Sequence, residues 1–105
     1  FSGVVEEVDE GDEIAKALGD KKVAILQNHG ILTTGPSVDI ALWFYMSMER
    51  CCQAQLMADS AGEPVIIPHE TAVKTREFIA NDIAAWASYQ PAFDKIIKMQ
   101  PDLLD

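Results

Sequence analysis

Two apolar segments of strand length, Val23-Ala24-Ile25-Leu26 and Ile31-Leu32-Thr33-Thr34, stand a short turn apart with helical patterns on both sides. That pairing constrains the fold more than any other feature. The continuity of the first segment suits a strand covered on both faces, not one side of a solvated ribbon. Asn28-His29-Gly30 lies between the segments, and three residues ending in glycine suit a type I turn followed by a left-handed glycine. The expected connection is therefore an antiparallel hairpin with His29 at its tip. Two strands cannot cover the apolar faces of several helices, so the pattern implies part of an α/β layer domain.

The helical patterns read as follows. Ile14, Ala15, Ala17 and Leu18 give a short helix one buried face, with Asp9, Glu10, Asp12 and Glu13 in its first turns and Gly19 as a stop. Gly3-Val4-Val5 before it fits the end of a strand. Gly35-Pro36 closes the hairpin, Ser37 is placed to cap a long helix, and that helix is expected to reach about Asp59. Ile40, Trp43, Phe44, Ser47, Cys51, Ala54 and Ala58 recur at intervals of three and four, while Met46, Met48, Leu56 and Met57 broaden the face. Such a surface needs a larger sheet, another helix layer or a partner subunit. Val65-Ile66-Ile67 suits either a strand or a packed loop. Pro68 opens a helix with Ala72, Ile79, Ile83 and Trp86 on one face. Gln90-Pro91 marks a break, Phe93, Ile96 and Ile97 a final short helix, and Pro101 its end.

Composition narrows the function classes. The 105 residues are 49% hydrophobic with only 6 glycines and 5 prolines, which excludes a collagen-like, coiled-coil or wholly disordered chain and suits one small domain. A formal charge of −9 repels phosphates and anionic headgroups, so neither nucleic acid nor a membrane surface is an expected partner. No apolar stretch approaches a membrane span. The start, Phe1-Ser2-Gly3-Val4-Val5, has neither an initiator Met nor the pattern of a signal peptide, in keeping with an excerpt from a longer chain. Cys51 and Cys52 are adjacent, and a disulfide between neighbours closes almost no loop. Free thiols in a reducing compartment, the cytoplasm, are expected, either packed along the helix or reactive.

The candidate chemistry is sparse. His29 and His69 are the only histidines, and neither forms a paired ligand motif with the other or with the cysteines. Local physics leaves His29 two roles: a hydrogen-bonding turn residue, or a ligand or catalytic group projected into a cleft. Asn28 suits the turn itself or support of its neighbour. No glycine-rich phosphate cradle occurs.

The run Val23-Ala24-Ile25-Leu26-Gln27-Asn28-His29-Gly30-Ile31-Leu32-Thr33-Thr34-Gly35 resembles the C-terminal part of the class II aldolase/adducin family. Ser37-Val38-Asp39-Ile40-Ala41-Leu42-Trp43-Phe44 and Met48-Glu49-Arg50-Cys51-Cys52-Gln53-Ala54-Gln55 continue it into the long helix. Phe1 to Val5 and the segment from Trp86 onward resemble the family's flanks. The resemblance implies a three-layer α/β/α domain with a predominantly antiparallel central sheet, of which residues 1–105 are the C-terminal portion. It assigns His29 as the last of three histidines that hold a divalent metal, usually zinc. The preceding His-x-His pair, the catalytic acid and the phosphate-binding residues have no match here and would lie upstream.

For the full-length protein the resemblance implies a lyase that cleaves a small sugar-like hydroxycarbonyl compound by a retro-aldol route through an enediolate, or a related epimerase or dehydratase. It implies a homo-oligomer, a tetramer in the family's usual form, and an inactive segment when residues 1–105 stand alone. The alternative is an adducin-like interaction domain that keeps the fold without the metal. The blandest reading is an α/β fragment whose apolar surface only reflects truncation.

Overall fold

The computed structural model describes residues 8–104. Within them the chain runs α1 (Val8–Leu18), β1 (Val23–Leu26), β2 (Gly30–Thr33), α2 (Val38–Ala61), α3 (His69–Ile79), α4 (Asp82–Met99) and a closing 3-10 turn, Pro101–Leu104. The expected strand end at Gly3-Val4-Val5 lies outside the described residues. Helix α1 stops where Gly19, at φ 55°, donates its N–H to the Ala15 carbonyl at 2.9 Å. Glycine takes that left-handed backbone without a Cβ penalty.

The two strands form an antiparallel pair in the register Val23↔Thr33, Ala24↔Leu32, Ile25↔Ile31 and Leu26↔Gly30. They pack on α2, which in turn packs against α4. Ile40, Phe44 and Ala85 form the buried core of the described residues, with Val23, Trp43 and Ala80 packed around it. Ser37 caps α2 by accepting the Ile40 N–H at 3.4 Å. The second half of α2 leaves the core: Leu56 and Met57 are exposed, Cys51 is exposed, and Cys52 is half-buried. The expected helix-packing role of Cys51 therefore does not hold within these elements. A Cα radius of gyration of 16.5 Å exceeds the ~13 Å of a compact 100-residue domain, as so small a core dictates.

The helix expected from Pro68 through Trp86 is two helices. Ala80 closes α3, and the Asn81 side chain caps α4 by accepting the Ala84 N–H at 2.9 Å. Ala85, not Ile83 or Trp86, is the residue α4 buries; Ile83 and Trp86 are 80% and 50% exposed. Pro91 does not break the chain's path, because α4 runs through it to Met99. It removes one backbone donor, and the helix on either side is long enough to carry that loss. Val65, Ile66 and Ile67 form an exposed irregular segment, neither a strand nor a packed loop.

Candidate functional site

The hairpin places His29 at the far end of the strands from the start of α2. Its tip comprises Gln27, Asn28 and His29, because Gly30 already stands in the ladder opposite Leu26. The His29 N–H donates to the Leu26 carbonyl at 3.0 Å, and Asn28 takes φ 58°. A positive φ at the third residue of this four-residue turn, with none at Gln27, excludes a type I turn and fits type II. The expected type I turn with a left-handed Gly30 is thus corrected. Asn28 carries the left-handed backbone, which its short polar side chain tolerates better than most. The missed signal was the asparagine itself, one residue before the histidine.

The opposite end of the hairpin is braced. The Thr34 N–H donates to the Lys22 carbonyl at 2.9 Å, and the Thr33 hydroxyl donates to the Ala41 carbonyl at 2.9 Å. Gly35 lets the strand turn into α2 at close quarters: a Cβ there would meet Ile40 Cγ2 at 2.9 Å and the Ala41 nitrogen at 3.0 Å. The strands are therefore held at the helix, and the His29 side chain stands exposed at the tip.

The other candidates lie elsewhere. His69 opens α3 and is exposed. The two free thiols sit on α2 beside Ile25, Met48, Gln55 and Leu56, around a shallow depression of about 440 Å³. A wider cleft of about 600 Å³ is lined by Lys21, Lys22 and Arg76 together with Asp20 and Glu77. Its lysines are already paired, Lys21 with Asp20 and Lys22 with Asp82. The hydrogen bond from Lys21, helped by its charge, holds the Asp20 carboxyl below its ordinary pKa. Such a balanced cleft has no surplus charge for an anion.

As a metal ligand, His29 fits one position: an exposed imidazole at the tip of a hairpin tied at its base is a side chain of the type that ligates divalent cations. The full set is not on these elements. Among the described residues no group of three or more His, Cys, Asp or Glu side chains could hold a metal ion, so neither His69 nor the cysteines complete a site around His29. No helix among them is long and apolar enough to cross a membrane.

Residues 3–56 match the family described as the class II aldolase and adducin N-terminal domain. The chain belongs to the class II aldolase and adducin family. Across 103 residues, 98% of its length, this family member is 40% identical to the decarboxylase NovR of Streptomyces niveus. Over the same length it is 38% identical to the 4-hydroxy-3-prenylphenylpyruvate oxygenase/4-hydroxy-3-prenylbenzoate synthase of Streptomyces roseochromogenus subsp. oscitans. It spans only 38% and 37% of those two relatives. Among solved structures it is similar to the L-fuculose 1-phosphate aldolase from Glaciozyma antarctica PI12, with a TM-score of 0.85 and 38% identity. That match covers 91% of this chain and 39% of the aldolase. The class II aldolase fold of these relatives accounts for a hairpin whose surroundings are mostly helical.

Proposed function

We propose that the complete protein is a metal-dependent lyase of the aldolase type, or a related epimerase or dehydratase, acting on a small sugar-like hydroxycarbonyl compound. The single observation that carries this reading is His29 standing exposed at the tip of a hairpin whose base is braced, in a chain of the class II aldolase family. Relatives named as a decarboxylase and as an aldolase support carbon–carbon bond cleavage as the reaction class. Both reactions leave an electron pair that must be spread onto a neighbouring oxygen, so both need fixed positive charge at that oxygen. A divalent cation, zinc in this proposal, supplies that charge when bound.

Within residues 1–105 the contribution is limited to holding and orienting. His29 is one ligand, and the turn beneath it sets where its ring stands. The remaining imidazoles, an acid to move the proton and the substrate's own binding groups belong to the rest of the protein. We assign residues 1–105 to the C-terminal portion of a three-layer α/β/α domain with a mainly antiparallel sheet. The exposed Phe78, Ile83 and Trp86 support further covering layers or subunits, and a homotetramer is the assembly proposed. The adjacent free thiols support a cytoplasmic setting.

The test is an assay of the complete protein against ketose phosphates and 2-hydroxy and 2-oxo acids, with product release followed before and after chelation. Cleavage that is lost with chelator and restored by zinc is the expected result. Cleavage indifferent to chelation contradicts the metal assignment, and a protein that neither binds metal nor turns over any of these compounds fits the adducin-like interaction reading instead.

A further inference from the structure

We propose that Asn28 is a positioning residue that acts through its backbone: its left-handed conformation aims the His29 imidazole, and its carboxamide is dispensable. This rests on the reading of His29 as a metal ligand. Among the described residues Asn28 is the one non-glycine residue with positive φ, at 58°. It lies immediately before His29, inside the turn closed by the His29 N–H and the Leu26 carbonyl. Gly30 is already paired with Leu26, so the chain reverses within Gln27, Asn28 and His29.

The rest of the hairpin has little slack to absorb a change at that residue. Its base is tied by the Thr34–Lys22 and Thr33–Ala41 hydrogen bonds, and the close approach at Gly35 fixes the path into α2. Moving Asn28 out of the left-handed region would rotate the peptide that leads into His29 and swing its Cα–Cβ direction. The tolerance of this backbone differs among side chains for known reasons. Glycine has no Cβ to clash, aspartate resembles asparagine, alanine fits worse, and a β-branched valine fits worst.

The experiment uses the full-length protein carrying Asn28→Gly, Asn28→Asp, Asn28→Ala, Asn28→Val or His29→Ala. Zinc affinity is read by competition with a chelator, and the His29 ring resonances by NMR of the zinc-free protein. Asn28→Gly and Asn28→Asp should keep affinity within about threefold, whereas Asn28→Ala and Asn28→Val should lose about 10–100-fold, the usual range for groups that orient a ligand. The ring resonances should stay in place in the first pair and move in the second. Should Asn28→Val fail to fold, Asn28→Ala carries the comparison. Asn28→Gly as weak as Asn28→Ala would overturn the proposal by giving the role to the carboxamide. Asn28→Ala and Asn28→Val with wild-type affinity and resonances would overturn it by removing the backbone role. Wild-type affinity in His29→Ala would remove the ligand reading alone, and the ring resonances would then decide the positioning claim.

Discussion

Lys22 and Asp82, sixty residues apart, meet with 2.5 Å between ammonium and carboxylate. The pair joins the start of β1 to the first turn of α4, where a carboxylate also suits the helix dipole. The same ammonium stands 4.8 Å from the centroid of the Phe44 ring in the core. Both side chains remain more than a third exposed, at 39% and 50%, so water and salt weaken the pair.

Asp82→Asn should therefore cost no more than about 1 kcal/mol in urea unfolding, with the loss shrinking as salt is added. Lys22→Ala should cost more than Asp82→Asn, because it also removes the cation and the aliphatic stem over Phe44. Equal costs would show that the ring contact contributes nothing.

Gly35→Ala should destabilise the protein by about 1–3 kcal/mol, the usual cost of forcing atoms into a packed site. The added Cβ meets a β-branched side chain and a backbone nitrogen, neither of which moves freely. The midpoint of urea unfolding should fall with little change in slope.

Asn81 serves two helices with one side chain. Its Nδ2 donates to the Phe78 carbonyl at 2.8 Å, and its Oδ1 accepts the Ala84 N–H at 2.9 Å. Asn81→Ala should lower stability by about 1–2 kcal/mol, whereas Asn81→Asp should keep the cap and lose only the first bond. Thermal unfolding of both variants distinguishes these outcomes.

Pro91 carries the opposite sign. It lies inside α4, where it removes an N–H from the helical ladder. Pro91→Ala should raise the unfolding midpoint, by up to about 3 kcal/mol of stability. A fall would mean that the proline ring makes a contact the helix depends on.

These residues also show what the sequence could and could not reveal. The strands were legible because Val23 to Leu26 and Ile31 to Thr33 are apolar runs of the right length beside a turn. The N-cap at Ser37 was legible because the cap bond is local. The turn type is less legible, because asparagine and glycine both tolerate a left-handed backbone and the sequence offers both, at Asn28 and Gly30; Asn28 is the one that takes it. Pro91 looks like a break because its ring lacks an N–H, yet α4 continues through it to Met99. The boundary at Ala80 and Asn81 carried its own signal, an asparagine followed by an aspartate, but no glycine or proline to draw notice. His29 could be assigned to a tip from its neighbours alone. Which groups converge on it depends on long-range placement, which spacing in a single chain does not encode.

As one ligand of a divalent metal in the complete protein, His29 should control its zinc content. Wild-type and His29→Ala proteins, full-length and purified side by side with zinc supplied, would be analysed for metal per subunit after removal of loosely bound ions. Folding would be checked by circular dichroism, since the exposed position of His29 at a turn predicts an unchanged fold. Close to one zinc per wild-type subunit is expected, with a large loss in His29→Ala at an unchanged spectrum. Equal zinc in the two proteins would remove His29 from the metal's ligands.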